Sequence, residues 1–140
     1  MNTLLLQALI LIVFTMPVLA DDHKKVDSME EENISPSYFP IEPDIVTNFL
    51  SIRSELGYVR VAISIMVDKP EDLLVIEHHA PLPRSAFIEI FGNQPKQKVT
   101  SQEGKEEIRR ECLMVANRLI ELETGQQIIT NLLFTKYMYN

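Results

Sequence analysis

The stretch VRVAISIMV, residues 59–67, places a branched aliphatic side chain at every odd position and Arg60, Ala62, Ser64 and Met66 at the even positions. Successive side chains of a β-strand point to opposite faces of the sheet, so a period of two over nine residues predicts a strand with one apolar face. That face must be covered by other elements of the chain. The rest of the sequence therefore has to supply a covering layer.

Two further segments predict strands on either side of this one in the chain. Residues 38–52, YFPIEPDIVTNFLSI, contain Pro40 and Pro43, which restrict the segment to an edge strand or an extended stretch. Gly57 ends the turn that follows it. Residues 127–139, QIITNLLFTKYMY, are rich in β-branched and aromatic residues and predict a long, largely buried final strand.

Two short helices are predicted after residue 67. The first begins at Pro70-Glu71-Asp72, where proline and two carboxylates suit a helix N-terminus, and it ends before Pro81. The second spans residues 84–91 and ends at Gly92-Asn93. Its predicted buried side consists of Phe87, Ile88 and Phe91. Residues 95–99 are predicted to form a short extended link.

A long helix then begins at Thr100, which with Glu103 fits a capping box, and ends near residue 124 at Gly125. Its apolar positions recur at helical spacing. They are Ile108, Cys112, Val115, Ala116 and Leu119. The order β-β-α-α-α-β predicts an α+β fold in which helices pack on one face of a small sheet.

Composition excludes several classes of function. The 140 residues carry a net charge of −7, which disfavours nucleic-acid binding because polyanions are held by clusters of Lys and Arg. A single cysteine excludes an internal disulfide and any CxxC-type site. The sequence contains no P-loop, G-x-G-x-x-G or G-x-S-x-G motif, and we expect neither an enzyme, nor a cofactor, nor a small-molecule substrate.

Residues 1–20 are uncharged and mostly apolar, with Pro17 and the small residues Val18 and Ala20 before Asp21. This pattern is typical of a signal peptide, although no Lys or Arg precedes the apolar run. The alternative is a short membrane anchor, at the lower limit of length for crossing a ~30 Å hydrocarbon core. Either interpretation places the remaining residues on the far side of a membrane.

Residues 21–37 form a predicted flexible tether, because they are strongly acidic and contain few large apolar side chains. The tether carries −4 of the net charge, which leaves the domain of residues 38–140 nearly balanced at −3.

Two sets of residues suggest chemistry on residue type alone. His78 and His79, with Glu77 and Asp72, are the one cluster of potential metal ligands, but adjacent helical side chains point about 100° apart. We therefore interpret the histidines as a helix end. Cys112 lies on the apolar stripe of the long helix and is interpreted as a core residue and not as a nucleophile.

The last strand ends with Tyr137, Met138 and Tyr139, residue types that are enriched in protein interfaces. The alternative is that these side chains cover the helices of their own domain.

The domain as a whole resembles the flagellar basal-body-associated FliL family. The resemblance begins with Gly57-Tyr58-Val59-Arg60-Val61 at the alternating strand and continues with Ala80-Pro81-Leu82-Pro83-Arg84 before a short helix. Its most specific parts are a block at the long helix and a pair in the last strand. These residues are Glu103, Gly104, Lys105 and Glu106, then Phe134 and Thr135.

The resemblance implies a non-enzymatic motor protein with a periplasmic domain similar to the stomatin-type (SPFH) fold. Family members associate with the flagellar stator units and the inner membrane, and they support rotation, motility and chemotaxis. Ring-like self-association around the stator is the implied mechanism. Arg84 and the six residues of the block and the pair are family-motif positions with a structural or interface role.

Three features depart from the family pattern. The leading segment lacks basic residues, Ser85 replaces a common acidic residue, and Asn140 replaces the usual terminal glutamine. These differences leave open a free periplasmic adaptor of the same fold that is not tied to the motor.

Overall fold

A computed structural model describes residues 35–51 and 57–140. The predicted signal or anchor segment, and the tether up to residue 34, lie outside the described residues. The described chain has an α+β fold with three strands and four helices. The strands are β1 (Ser37–Asn48), β2 (Tyr58–Val67) and β3 (Ile129–Tyr139), and the helices are α1 (Asp72–His79), α2 (Pro81–Gly92), α3 (Lys96–Thr100) and α4 (Gln102–Thr124).

The strands form one antiparallel sheet in the order β1-β2-β3, so that β2 is central and the other two are edges. The prediction of β1 as a proline-containing edge strand and of β2 as a half-apolar strand is confirmed. The register between β1 and β2 shifts between Ile41 and Ile45. That between β2 and β3 shifts twice, and the extra residues are Thr130 and Thr135.

The core lies between one face of the sheet and the helices. The odd-numbered side chains of β2 are buried there with Phe87 and Phe91 of α2 and the apolar stripe of α4. Helix α4 contributes Gly104, Ile108, Cys112, Ala116 and Ile120. Val115 and Leu119, predicted for this stripe, are only partly buried.

Helix α2 begins three residues before the predicted start at residue 84. Pro81 and Pro83 lie in its first turn, where a missing N–H costs nothing because those amides have no partner within the helix. Ile88 was wrongly assigned to the buried side, since it is 39% exposed while Ile90 is buried.

The predicted extended link at residues 95–99 is wrong. Only Pro95 is extended, and it lies beside Leu50, whose carbonyl accepts a 3.0 Å hydrogen bond from the Lys96 amide. The next five residues form α3. A five-residue helix buries a single residue, Val99, and is too short to show a hydrophobic period.

Helix α4 starts one residue later than predicted. Its N-cap is Ser101, not Thr100, because the Ser101 hydroxyl accepts a 3.0 Å hydrogen bond from the Gly104 amide. Thr100 is instead the last residue of α3. The predicted end is confirmed, since Gly125 has the left-handed φ of 76° that glycine adopts without strain.

The prediction that the last strand is largely buried is wrong. Only Ile129 and Leu132 of β3 are buried, since β3 is an edge strand and the helices cover one of its faces. A composition rich in apolar and aromatic residues does not distinguish an edge strand from a central one.

Candidate functional site

Four of the seven family-motif residues form the first turns of α4. Glu103 is exposed, Gly104 is buried, and Lys105 and Glu106 are partly buried. The turn is fixed by the Ser101 cap and by a hydrogen bond of 3.0 Å from the Lys105 amide to the Ser101 carbonyl. The cap thereby determines which of these side chains point toward β3.

Gly104 is required by the close approach of α3 to α4. A Cβ atom at this position would lie 2.7 Å from both Cα and the carbonyl carbon of Lys98. Backbone atoms cannot rotate away as a side chain can, so any larger residue displaces α3. Gly104 therefore sets the angle of the α3–α4 corner.

Lys105 lies over the aromatic ring of Tyr137, with its Nζ 4.9 Å from the ring centroid. This distance is within the range of a cation–π contact. The Tyr137 hydroxyl donates a 2.9 Å hydrogen bond to the carbonyl of Val99. Partial burial, together with the nearby Tyr139, raises the pKa of Tyr137 to about 12, so the hydroxyl keeps its proton.

Glu106 binds Arg109 through two hydrogen bonds, of 2.8 and 2.7 Å. The same guanidinium donates to the side-chain oxygen of Asn131 at 2.9 Å and to the Leu132 carbonyl at 3.0 Å. These contacts hold α4 against the outer edge of β3. The hydrogen bonds from Arg109, and a further one from Arg110, lower the pKa of Glu106 to about 2.

Phe134 and Thr135 occupy β3 where its register shifts. The Phe134 ring lies 5.6 Å from the ring of Phe91 and 5.7 Å from that of Tyr137, which places it in an aromatic cluster. Thr135 is the bulged residue, and its hydroxyl donates a 3.3 Å hydrogen bond to the Ala62 carbonyl. The bulge keeps Phe134 and Tyr137 on the helix-covered face although they are three residues apart.

Arg84 lies apart from this group, at the other edge of the sheet. It extends from α2 to donate a 2.6 Å hydrogen bond to the Pro43 carbonyl, within the irregular part of β1. The structure thus brings six motif residues to the α4–β3 side and places the seventh beside β1.

Sequence reasoning missed three residues that hold the α4–β3 side together. Arg109 and Asn131 belong to no apolar period or motif. Ser101 stands in the sequence block that resembles the family, but the cap was assigned to its neighbour Thr100. The signal for Arg109 was its spacing of three from Glu106, which suits an ion pair on a helix. No local signal identifies Asn131, whose partner is distant in the sequence.

The residues considered for metal binding or nucleophilic chemistry lie outside this group. The rings of His78 and His79 are 4.8 Å apart and nearly perpendicular. Among residues 35–51 and 57–140, no cluster of three or more His, Cys, Asp or Glu side chains is arranged to hold a metal ion. Cys112 is buried, and burial raises its pKa to about 12, which keeps it a thiol. The Ser85 hydroxyl donates to the Pro81 carbonyl.

Within the part of the chain that the structure describes, none of the helices has the length and apolar character needed to span a bilayer.

Comparison with known proteins relates this chain to a family of flagellar proteins. Residues 38–139 match the sequence model of the family described as flagellar basal body-associated protein FliL. The flagellar protein FliL of Aquifex aeolicus (strain VF5) is 24% identical over 100 residues. The match covers 71% of this chain and 59% of the Aquifex protein, so the chain spans about six-tenths of that relative's length. The family match covers well over half of the sequence, and the chain therefore belongs to the FliL family of flagellar basal body-associated proteins.

Proposed function

We propose that this protein is a non-enzymatic component of the flagellar motor that associates with the stator units at the periplasmic face of the inner membrane. The observation that carries the proposal is the family match over residues 38–139, whose description is of a basal body-associated protein. In this role the protein supports flagellar rotation, and through it motility and chemotaxis.

The use of the motif side chains supports a structural role. Gly104 sets a helix corner, Glu106 orients Arg109 at the edge of β3, and Phe134 completes an aromatic cluster. Gly104 thus fixes α3 against α4, Glu106 helps hold α4 against β3, and Phe134 packs β3 against α2. A rigid domain of this kind suits a protein whose task is to hold a defined position beside moving parts.

The proposal includes three further elements. Residues 1–20 direct the chain to or across the inner membrane, and residues 21–36 act as a tether. The periplasmic domain, similar to the stomatin-type fold, begins with β1 at Ser37. Copies of the domain assemble into a ring around the stator. No cofactor, nucleic acid or small-molecule substrate is part of this function.

Deletion of the gene tests the proposal. We expect cells without the gene to swim and swarm less well, above all in viscous medium, where the motor works under high load. A copy of the gene in trans should restore both. Normal swimming and swarming of the deletion strain under high load would contradict the proposal.

The free periplasmic adaptor is the second candidate, favoured by the lack of basic residues before the apolar run. Fractionation of cells and N-terminal sequencing of the purified protein distinguish the two. An intact Met1 in the inner membrane supports the motor component. A soluble periplasmic protein that starts at Asp21, in cells whose motility does not need the gene, supports the adaptor.

A further inference from the structure

A groove runs along the outer edge of β1, between that strand and the corner where α1 meets α2. Residues 39–42 of β1 form one wall, and Glu77, Ala80, Pro81 and Arg84 form the other. Its volume is about 440 Å³, which is within the ~300–1,000 Å³ range of binding pockets. A second depression adjoins it, since Glu42 lines both and Asp44 and Arg60 line the second.

Part of the main chain beside the groove is able to pair: Pro40 and Pro43 have no N–H to donate, but their carbonyls and the other peptide groups of the strand remain. Among the described residues, the backbone of residues 37–43 makes two hydrogen bonds beyond its ladder with β2. One comes from the Ser64 hydroxyl to the Phe39 carbonyl at 3.5 Å, and the other from Arg84 to the Pro43 carbonyl. An edge strand presents N–H and C=O groups away from its sheet, and these groups pair with an extended peptide.

The charges in the groove select the occupant. Glu42 and Glu77 are exposed, and neither forms an ion pair with any described residue. The cation in the same groove, Arg84, is directed to the Pro43 carbonyl at 2.6 Å. Phe39 supplies an aromatic surface to the groove. Two unpaired carboxylates beside an aromatic ring suit the ammonium or guanidinium group of a partner side chain.

We propose that this groove binds an extended peptide segment of a partner protein that carries Lys or Arg. The main chain of the segment lies along residues 39–42, and its cationic side chain lies between Glu42 and Glu77. The site is defined by the described residues alone and does not depend on the motor role.

Binding of a synthetic peptide to the protein purified as the cell produces it tests this site. The probe is a fluorescently labelled decapeptide of alternating Lys and Thr, measured by anisotropy at physiological salt, with a Glu-Thr decapeptide as the negative control. The double variant Glu42→Gln/Glu77→Gln removes both carboxylates. The matched control, Glu89→Gln/Glu123→Gln, removes two exposed carboxylates, one on α2 and one on α4, that lie outside the groove and form no ion pair with described residues.

We expect the Glu42→Gln/Glu77→Gln variant to weaken binding about fivefold or more, and the control variant less than twofold. Hydrogen exchange read by mass spectrometry should show protection of the amides within residues 39–42, which are those of Phe39, Ile41 and Glu42, when the Lys-Thr peptide is bound. Equal weakening by both double variants would overturn the proposal, because binding would then depend on the net charge of the protein and not on the carboxylates of the groove. Protection elsewhere, including at residues 1–34, or no binding at all, would also overturn it.

Discussion

The two edges of the sheet are protected in different ways. At β3 the helix α4 provides the protection, since Arg109 and Asn117 donate to the carbonyls of Leu132 and Ile129 at 3.0 Å each. At β1 a single helix side chain, Arg84, contacts the main chain. The prolines and the irregular register of this strand reduce, but do not abolish, its ability to pair with another strand. Contacts with a helix fix one edge rigidly, whereas composition only discourages unwanted pairing at the other.

The motif residues are distributed unequally between these two edges of the sheet. Six of them lie on the α4–β3 side, where geometry is set by close contacts, and Arg84 lies alone at β1. We therefore expect substitutions on the α4–β3 side to cost more stability than comparable substitutions beside β1.

The largest effect is expected for Gly104→Ala. The new Cβ meets the backbone of Lys98, so α3 has to move, and we expect the free energy of unfolding to fall by about 3 kcal/mol. Gly92→Ala is the matched control, because its Cβ would lie 3.6 Å from the Thr47 hydroxyl, an ordinary contact. Urea denaturation followed by circular dichroism measures both. Equal stability of the two variants would contradict the close approach of α3 to α4.

A smaller effect is expected for Arg109→Ala, which removes the contacts to Leu132, Asn131 and Glu106 together. We expect a loss of about 2 kcal/mol, since hydrogen bonds to charged groups contribute roughly 1.5–3 kcal/mol. Arg84→Ala, which loses one exposed contact, should cost about 1 kcal/mol or less. Urea denaturation measures both variants. A larger loss of unfolding free energy for Arg84→Ala than for Arg109→Ala would contradict the claim that the β3 edge is held more firmly than the β1 edge.

Next in size is Tyr137→Phe, which deletes the hydroxyl that donates to Val99 and leaves the ring in place. Losing this hydrogen bond should cost about 1 kcal/mol. Tyr139→Phe is the control, because its hydroxyl is exposed and its bond to the Thr100 carbonyl is long, at 3.4 Å. We expect thermal denaturation to show a lower midpoint for Tyr137→Phe alone. An equal midpoint for the two variants would contradict a stabilising hydrogen bond between Tyr137 of β3 and Val99 of α3.

The smallest effect concerns pH. The pKa of Glu106 falls on folding from 4.5 to about 2, so its contribution to stability is present above pH 4.5 and is lost as the pH falls toward 2. The wild-type protein should therefore lose more stability over this range than Glu106→Gln does. Urea denaturation at a series of pH values measures the difference, with Glu123→Gln as the control. Parallel pH profiles for wild type and Glu106→Gln would show that the pair with Arg109 does not form.

Local periodicity and end signals predicted most of the fold. The alternation of residues 59–67 identified β2, and Gly125 marked the end of α4, because both signals depend on neighbours in the sequence. Helix α3 was missed because its single buried residue, Val99, is placed by contacts with distant elements. The partial exposure of β3 likewise follows from its position in the sheet, which composition does not encode.

The sequence identified residues of the candidate site, but it did not predict which of them contact one another. The resemblance to FliL proteins identified Glu106 and Phe134, and a spacing of three connects Glu106 to Arg109 within α4. The bond from Arg109 to Asn131 and the packing of Phe134 against Phe91 become evident only when the helices are placed against β3. Residues that act through tertiary contacts carry no signal at fixed sequence spacing. The separation of Arg84 from the other motif residues has the same cause.

The rotation speed of single motors as a function of load tests the proposed motor role most directly. Beads of increasing size attached to flagellar filaments set the load, in wild-type cells, in cells lacking the gene and in complemented cells. The account predicts that motors without this protein slow down at high load, run normally at low load, and recover when the gene is restored. Identical speed–load curves in all three strains would contradict it.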